Sequence, residues 1–179
     1  MLKSAGDYQG NVGLYVDKNV VTGASTECPV DVIFVLDDSA SIGEANFILS
    51  KSFLSQLVAR LNIGSGRTRV GLVKYSANVN AHICLNSHSS VASLQSAILA
   101  LYFTSGTSTN THLALDYVRT TMLTPACGDR GKVPNVVVVL TDGQSSNANY
   151  TRVSILNLLR AVLPAYSDSS KQRCLYEYN

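Results

Sequence analysis

The chain has 179 residues, of which 46% are hydrophobic and 15% are charged, and it has a formal net charge of +2. This length accommodates one domain with a short flank, and the apolar fraction is high enough to build a core, which excludes a disordered chain. Because the charge is nearly balanced and no basic run occurs, a nucleic-acid-binding function is not expected. No apolar stretch approaches the roughly 18 residues of a membrane span, and no signal peptide is visible after Met1.

The first predicted elements follow a lead-in segment without a sustained pattern. Residues 1–27 contain scattered Gly, Ser, Thr and Asn, which is typical of loops. From Cys28 the pattern changes, and Val32–Leu36 is a continuous apolar run rich in β-branched residues. Such a run predicts a strand that is buried on both faces. Apolar residues then recur at helical spacing over Gly43–Leu61, and Gly64 stands where a helix commonly ends.

The rest of the chain alternates between strand-like and helix-like patterns. Strands are predicted over Arg69–Tyr75, His82–Leu85 and Val136–Leu140, and helices over 91–101, 113–118 and 155–162. The link between the first two of these strands is too short for a crossover helix, so they are expected to be antiparallel. The element order predicts an α/β fold with a doubly wound, mostly parallel sheet that is flanked by helices.

Polar residues follow the two central strands at their carboxyl ends, where ligands bind in doubly wound sheets. Asp37, Ser39 and Ser41 alternate along the loop after the first strand, and Asp142 follows the last strand. The hydroxyl of Thr109 completes a set of five oxygen-bearing side chains. Hard oxygen ligands with two carboxylates suit Mg²⁺ or Mn²⁺ better than zinc, so the sequence predicts such a metal site.

Three motifs occur in the order found in one known family. Asp37-x-Ser39-x-Ser41-Ile42-Gly43, the loop 108–115 and Leu140-Thr141-Asp142-Gly143 together resemble the von Willebrand factor A domain. In that family these motifs form the metal-ion-dependent adhesion site. The resemblance covers about residues 28–163 and leaves 164–179 as a divergent tail.

The resemblance also implies a role for each of the five side chains. It implies that Ser39 and Ser41 bind the metal directly. Thr109 would bind directly or through water, and Asp37 and Asp142 would act mainly as acceptors of metal-bound water.

The chain departs from the family at its end. Family members continue beyond the last predicted helix with two more strands and a terminal helix, whereas 164–179 contains only one strand-like run, Cys174–Tyr178. We therefore expect a sheet that is truncated at its C-terminal end. The tail would either replace one strand or form a divergent end.

The four cysteines are too far apart for a zinc motif. They fit two disulfides in an oxidising compartment, with three possible connectivities, or four free thiols in a reducing one. Cys28 and Cys174 resemble the flanking pair of some family members, which would leave Cys84 with Cys127. The sequon at Asn149 is compatible with a glycosylated, secreted protein.

The predicted function is binding rather than catalysis, because no Walker loop, nucleophile elbow or H-E-x-x-H motif occurs. The resemblance implies an extracellular module whose metal captures an acidic residue of a matrix protein such as a collagen. An intracellular scaffold for complex assembly is the alternative, and metal-assisted phosphoester hydrolysis is less favoured because no general base is evident. Asp38, next to the predicted site, is expected to be solvated or a helix cap.

Overall fold

The computed structural model describes residues 29–64 and 66–162. Four strands and four α-helices occur in this part of the chain: β1 Asp31–Asp37, α1 Gly43–Val58, β2 Arg69–Tyr75, β3 Val79–Ile83, α2 Val91–Leu99, α3 Thr111–Tyr117, β4 Asn135–Leu140 and α4 Ala148–Val162. A π-helical turn continues α3 over Val118–Met122, and a short 3₁₀ turn covers Pro125–Cys127. No helix in these described ranges is long and apolar enough to cross a membrane.

The four described strands form one mixed sheet in the order β3-β2-β1-β4. β1 is parallel to β2 and to β4, whereas β3 is antiparallel to β2. The prediction of an α/β fold with a mostly parallel sheet and one antiparallel strand is therefore confirmed. Asp37 pairs with Tyr75 and Leu36 with Leu140, so the carboxyl ends of the three parallel strands lie at one edge of the sheet.

β1 lies between β2 and β4, and all seven of its residues are buried. Its side chains alternate between the two faces of the sheet, as the period of two in a strand requires. Phe34 packs in a core with Phe47 of α1 and Ile98 of α2, and Val35 packs in a second core with Leu115 of α3. Each fully buried side chain of this size contributes roughly 1.5–3 kcal/mol, which explains the continuous apolar run.

Several predicted elements have different bounds in the structure, and the largest difference is in the last helix, which begins at Ala148 instead of 155. The first helix ends at Val58 instead of Leu61, because Arg60 and Leu61 donate to carbonyls only three residues back, and the last turn becomes tighter. The strand predicted over His82–Leu85 is β3, which begins at Val79 and ends at Ile83. Its register with β2 shifts between Lys74 and Tyr75, which is a β-bulge near the start of β3.

Cys84 and Cys127 form a disulfide with their Cα atoms 4.9 Å apart, which agrees with the predicted pairing. The other expected pair, Cys28 with Cys174, lies outside the described residues. The lead-in segment 1–27 and the tail 164–179 also lie outside them. Within the described sheet, β4 occupies one edge, and the predicted truncation beyond it is therefore untested.

Candidate metal centre

The loop after β1 places two serine hydroxyls at the carboxyl edge of the sheet. The backbone reverses between β1 and α1 through Gly43, whose φ of +71° is in the left-handed region that glycine adopts readily. The amide of Gly43 donates to the carbonyl of Ala40, and the amide of Ile42 donates to that of Ser39. This compact turn explains why Gly43 ends the first motif.

The hydroxyls of this loop and Asp142 form a short row of oxygen atoms. The Oγ atoms of Ser39 and Ser41 are 3.1 Å apart, and Ser41 Oγ donates to Asp142 Oδ1 over 3.4 Å. Ser39 is buried, whereas Ser41 and Asp142 are exposed, so the row opens to solvent. Adjacent ligands of an octahedral Mg²⁺ ion with bonds near 2.1 Å lie about 3.0 Å apart, so the spacing of the two serine oxygens suits such an ion.

Asp37 supports this row from below. Its side chain is fully buried, and both of its carboxylate oxygens accept hydrogen bonds. Oδ1 accepts from the amide of Ser39 at 2.9 Å, and Oδ2 accepts from the hydroxyl of Thr141 at 2.7 Å. Asp37 therefore joins the loops that follow β1 and β4, and it adds a negative charge under the hydroxyls.

Tyr75 is the neutral neighbour of this carboxylate. It is fully buried, and its hydroxyl lies 3.1 Å from Thr111 Oγ1. Burial raises the pKa of the Tyr75 hydroxyl well above its usual range, and the negative charges of Asp37 and, less strongly, Asp142 raise it further. Tyr75 consequently stays protonated and adds no charge near the candidate site.

Thr109 approaches the same edge through its backbone. Its carbonyl accepts from the amide of Ser146 at 2.9 Å and from the hydroxyl of Ser145 at 3.1 Å, and its amide donates to Ser146 Oγ. These bonds hold Thr109 against the loop that carries Asp142. Direct hydrogen bonds thus connect the other four predicted residues in sequence, while Thr109 is held beside them by its neighbours.

Asp38 lies next to the candidate site, and its environment differs from the predicted one. The expectation that it is solvated or a helix cap is wrong, because its side chain is completely buried and lies 2.8 Å from the ammonium group of Lys74. The sequence contained one signal of this pair. Lys74 is a charged residue within the apolar strand β2, and a buried lysine is almost always paired.

The donor set distinguishes this centre from a histidine- or cysteine-based one. Within residues 29–64 and 66–162, no three His, Cys, Asp or Glu side chains gather in a way that could hold a metal. The candidate centre therefore consists of hydroxyls with two carboxylates, a set that suits a hard divalent cation.

Comparisons with known proteins agree with the fold described above. The family model of the von Willebrand factor type A domain matches residues 31–163. The chain is 38% identical over 125 residues to mouse collagen alpha-4(VI) chain, and it is 40% identical over 123 residues to mouse matrilin-1. The matches cover 69% and 67% of this chain but only 5% and 24% of those relatives.

Solved structures show the same fold. Proximal thread matrix protein 1 from the mussel byssus matches with a TM-score of 0.70 at 22% identity, covering 76% of this chain and 36% of that one. A second structure of that protein, described as having a zinc-occupied MIDAS motif, matches with a TM-score of 0.69 at 23% identity over 77% of this chain and 37% of that one. At this level of identity the likeness establishes the architecture.

Proposed function

This chain belongs to the von Willebrand factor type A domain family, and from that premise we propose that it is a metal-dependent adhesion module of an extracellular matrix or secreted protein. The observation that carries the proposal is the solvent-facing row of Ser39, Ser41 and Asp142 oxygens above the buried Asp37. A buried carboxylate below and an open face above suit a site that holds a cation and leaves one side for a partner.

The proposed cation is Mg²⁺ or Mn²⁺. When bound, it supplies a positive charge with a coordination position open to an oxygen ligand. Ser39 and Ser41 would offer their hydroxyl oxygens, and Thr109 would add a third. The carboxylates of Asp37 and Asp142 would balance the charge of the cation. Asp37 would also orient Ser39, whose amide donates a hydrogen bond to it.

The proposed ligand is an acidic side chain of a matrix protein such as a collagen. A carboxylate that replaced water at the open position would form a charge-assisted contact. The relatives named above are a collagen chain and a matrilin, which supports a partner from the same class of assemblies. The chain spans about a quarter or less of those two relatives, so the partner is proposed for this domain alone.

We propose a binding role in preference to a catalytic one. A serine nucleophile needs an adjacent base, usually a histidine, within hydrogen-bond reach. In the described part of the chain, the hydroxyls of Ser39 and Ser41 bond to each other and to Asp142, and no histidine bonds to them. This arrangement favours holding an ion over activating a nucleophile.

The proposed location is extracellular. The disulfide between Cys84 and Cys127 supports an oxidising compartment and disfavours the intracellular scaffold. Asn149 lies exposed in the first turn of α4, where a glycan would be accessible, so we also propose that its sequon is used. Mass spectrometry of the native protein without reductant tests both features, and free thiols with an unmodified Asn149 would favour the scaffold.

Calorimetric titration of the metal-free chain with Mg²⁺ and Mn²⁺ tests the site. The parent chain is expected to bind one ion, and Ser39→Ala/Ser41→Ala is expected to abolish measurable binding because two ligands are lost. Ser96→Ala is the matched control, since it removes an exposed helical hydroxyl in α2 and should leave binding unchanged. Equal binding by all three proteins would overturn the proposed site.

A further inference from the structure

Beside the candidate metal centre lies a second, buried charge cluster that the proposed function does not use. Asp38 and Lys74 are both almost fully buried, with exposed fractions of 0% and 2%. Desolvating such a pair costs several kcal/mol per ion, so it is stable only when its other hydrogen-bonding groups are satisfied. The partners of these two side chains therefore indicate what the pair holds in place.

The carboxylate of Asp38 accepts hydrogen bonds from the loop between α2 and α3 and from β3. The amide of Thr104 donates to Asp38 Oδ1 at 2.9 Å, and the Thr104 hydroxyl donates to Oδ2. Asn80 also donates to Oδ2, at 3.3 Å. Both carboxylate oxygens are therefore occupied, and Asp38 is not available as a ligand for a cation bound above Asp37.

Lys74 binds the same loop from below. Its ammonium group donates to the Tyr102 carbonyl at 2.8 Å and lies 4.8 Å from the centre of the Tyr102 ring. A lysine has three donors and a positive charge that favours aromatic faces, so Lys74 can hold Asp38 and Tyr102 simultaneously. We call this set of Asp38, Lys74, Tyr102 and Thr104 the loop clasp.

The segment that follows Thr104 contacts the loop that carries Ser39 and Ser41 directly. Gly106 donates to the carbonyl of Asp38 and accepts from the amide of Ala40, so the two loops pair on either side of Ser39. A side chain at Gly106 would overlap Ser76, so the segment also packs closely on the end of β2.

The segment needs to be held because it contains Ser105 in the left-handed region, with φ of 54°. That conformation is unfavourable for a residue other than glycine and persists only when its surroundings enforce it. Bonds from Thr104 and Gly106 to Asp38 lie on both sides of Ser105.

From this geometry we infer that the loop clasp is a positioning device for the proposed metal centre. It fixes the loop that carries Ser39 and Ser41 in its ligand-ready arrangement before the cation binds. It also neutralises Asp38, so that Asp37 and Asp142 are the carboxylates that face the cation. Asp38 and Lys74 would be positioning residues, since neither touches the ion. This inference rests on the proposed function.

The test compares two buried ion pairs at opposite ends of β1. The test variant, Asp38→Asn/Lys74→Met, removes both charges and keeps similar side-chain volumes. The control variant, Asp31→Asn/Arg130→Met, does the same to the pair at the amino end of β1. Thr104→Val removes a single donor to Asp38 and serves if the double variant fails to fold. The readouts are Mn²⁺ affinity by calorimetry and hydrogen exchange of the Ala40 and Gly106 amides in the metal-free chain.

The clasp variant is expected to bind Mn²⁺ about 10- to 100-fold more weakly, the range found when groups that orient metal ligands are removed. Its Ala40 and Gly106 amides are expected to exchange faster, while the control variant keeps parent values for both readouts. Unchanged affinity in the clasp variant, or equal weakening in both variants, would overturn the positioning role. Failure of the parent chain to bind Mn²⁺ would instead overturn the proposed metal site together with this role.

Discussion

The two ends of β1 use the same kind of interaction for different results. At the amino end, Asp31 is fully buried, and both of its carboxylate oxygens accept from Arg130. At the carboxyl end, the buried Asp38 accepts from Lys74, but the adjacent Ser39 and Ser41 hydroxyls lead out to solvent. The amino end is thus closed on itself, whereas the carboxyl end combines a closed ion pair with an open row of ligands.

This comparison suggests that the two ends of β1 have different roles. Ligands of doubly wound sheets bind at the carboxyl ends of the strands, so polar groups there remain available for a partner. The polar groups at the amino end have no such requirement, so they can be paired entirely within the protein. The Cys84–Cys127 disulfide reinforces it, because Leu85 next to Cys84 donates to the Cys127 carbonyl and Arg69 at the start of β2 donates to Gly128.

The largest expected effect is at the amino end. Asp31→Ala leaves the Arg130 guanidinium, only 16% exposed, without its carboxylate. Breaking a buried pair in this way costs about 3–5 kcal/mol, because the remaining charge is uncompensated. Urea unfolding in EDTA should show this loss, while the affinity of the folded protein for Mn²⁺ stays near the parent value.

Arg119→Ala is the control for that change. It removes a half-exposed ion pair with Asp116 on α3 and the turn after it, and such pairs contribute less than about 1 kcal/mol. If Asp31→Ala were as mild as Arg119→Ala, or if it weakened Mn²⁺ binding strongly, the division between the two ends of β1 would be wrong.

The next largest effect concerns the disulfide. Replacing Cys84 and Cys127 by serine releases a loop with a sequence separation of 43 residues. This is expected to lower the free energy of unfolding by about 2–4 kcal/mol, mainly because the unfolded chain gains freedom. Differential scanning calorimetry of the parent and the double variant, both in EDTA, measures the loss.

Repeating the scans with saturating Mg²⁺ should stabilise both proteins by the same free energy, since the metal site is unchanged. A smaller rise in the variant would mean that the two ends are coupled.

The sequence predicted the open end of β1 better than the closed ion pairs, for a physical reason. Asp37, Ser39 and Ser41 lie within five residues, so a local motif places them on one loop regardless of distant structure. The partners Asp38 and Lys74 are separated by 36 residues and Asp31 and Arg130 by 99. Such pairs depend on strand register and loop packing, which no local pattern encodes.

The same contrast applies to the secondary structure. The strand over Arg69–Tyr75 has its predicted bounds because all its residues after Arg69 are apolar or glycine except Lys74. The start of β3 was missed although apolar and polar residues alternate over Val79–Ile83, which is the pattern of a half-exposed strand. The position of Thr109 beside Ser145 and Ser146 likewise depends on the packing of two loops.

The smallest expected effect sharpens the comparison at the carboxyl end. Tyr75→Phe removes the contact with Thr111 and should cost about 1 kcal/mol at neutral pH. Because burial raises the folded-state pKa of Tyr75 above its usual value near 10, the unfolded chain loses this proton first as the pH rises. The stability contributed by protonated Tyr75 is therefore full below pH 10 and declines above it.

The check is chemical unfolding of the parent and Tyr75→Phe in EDTA between pH 7 and pH 11. The parent should be the more stable protein at pH 7, and its advantage should shrink above pH 10, because phenylalanine has no proton to lose. Other groups that titrate in this range are common to both proteins and cancel in the difference. A difference that stays constant across the whole range would mean that neither burial nor the charge of Asp37 raises the pKa of Tyr75 in the folded chain.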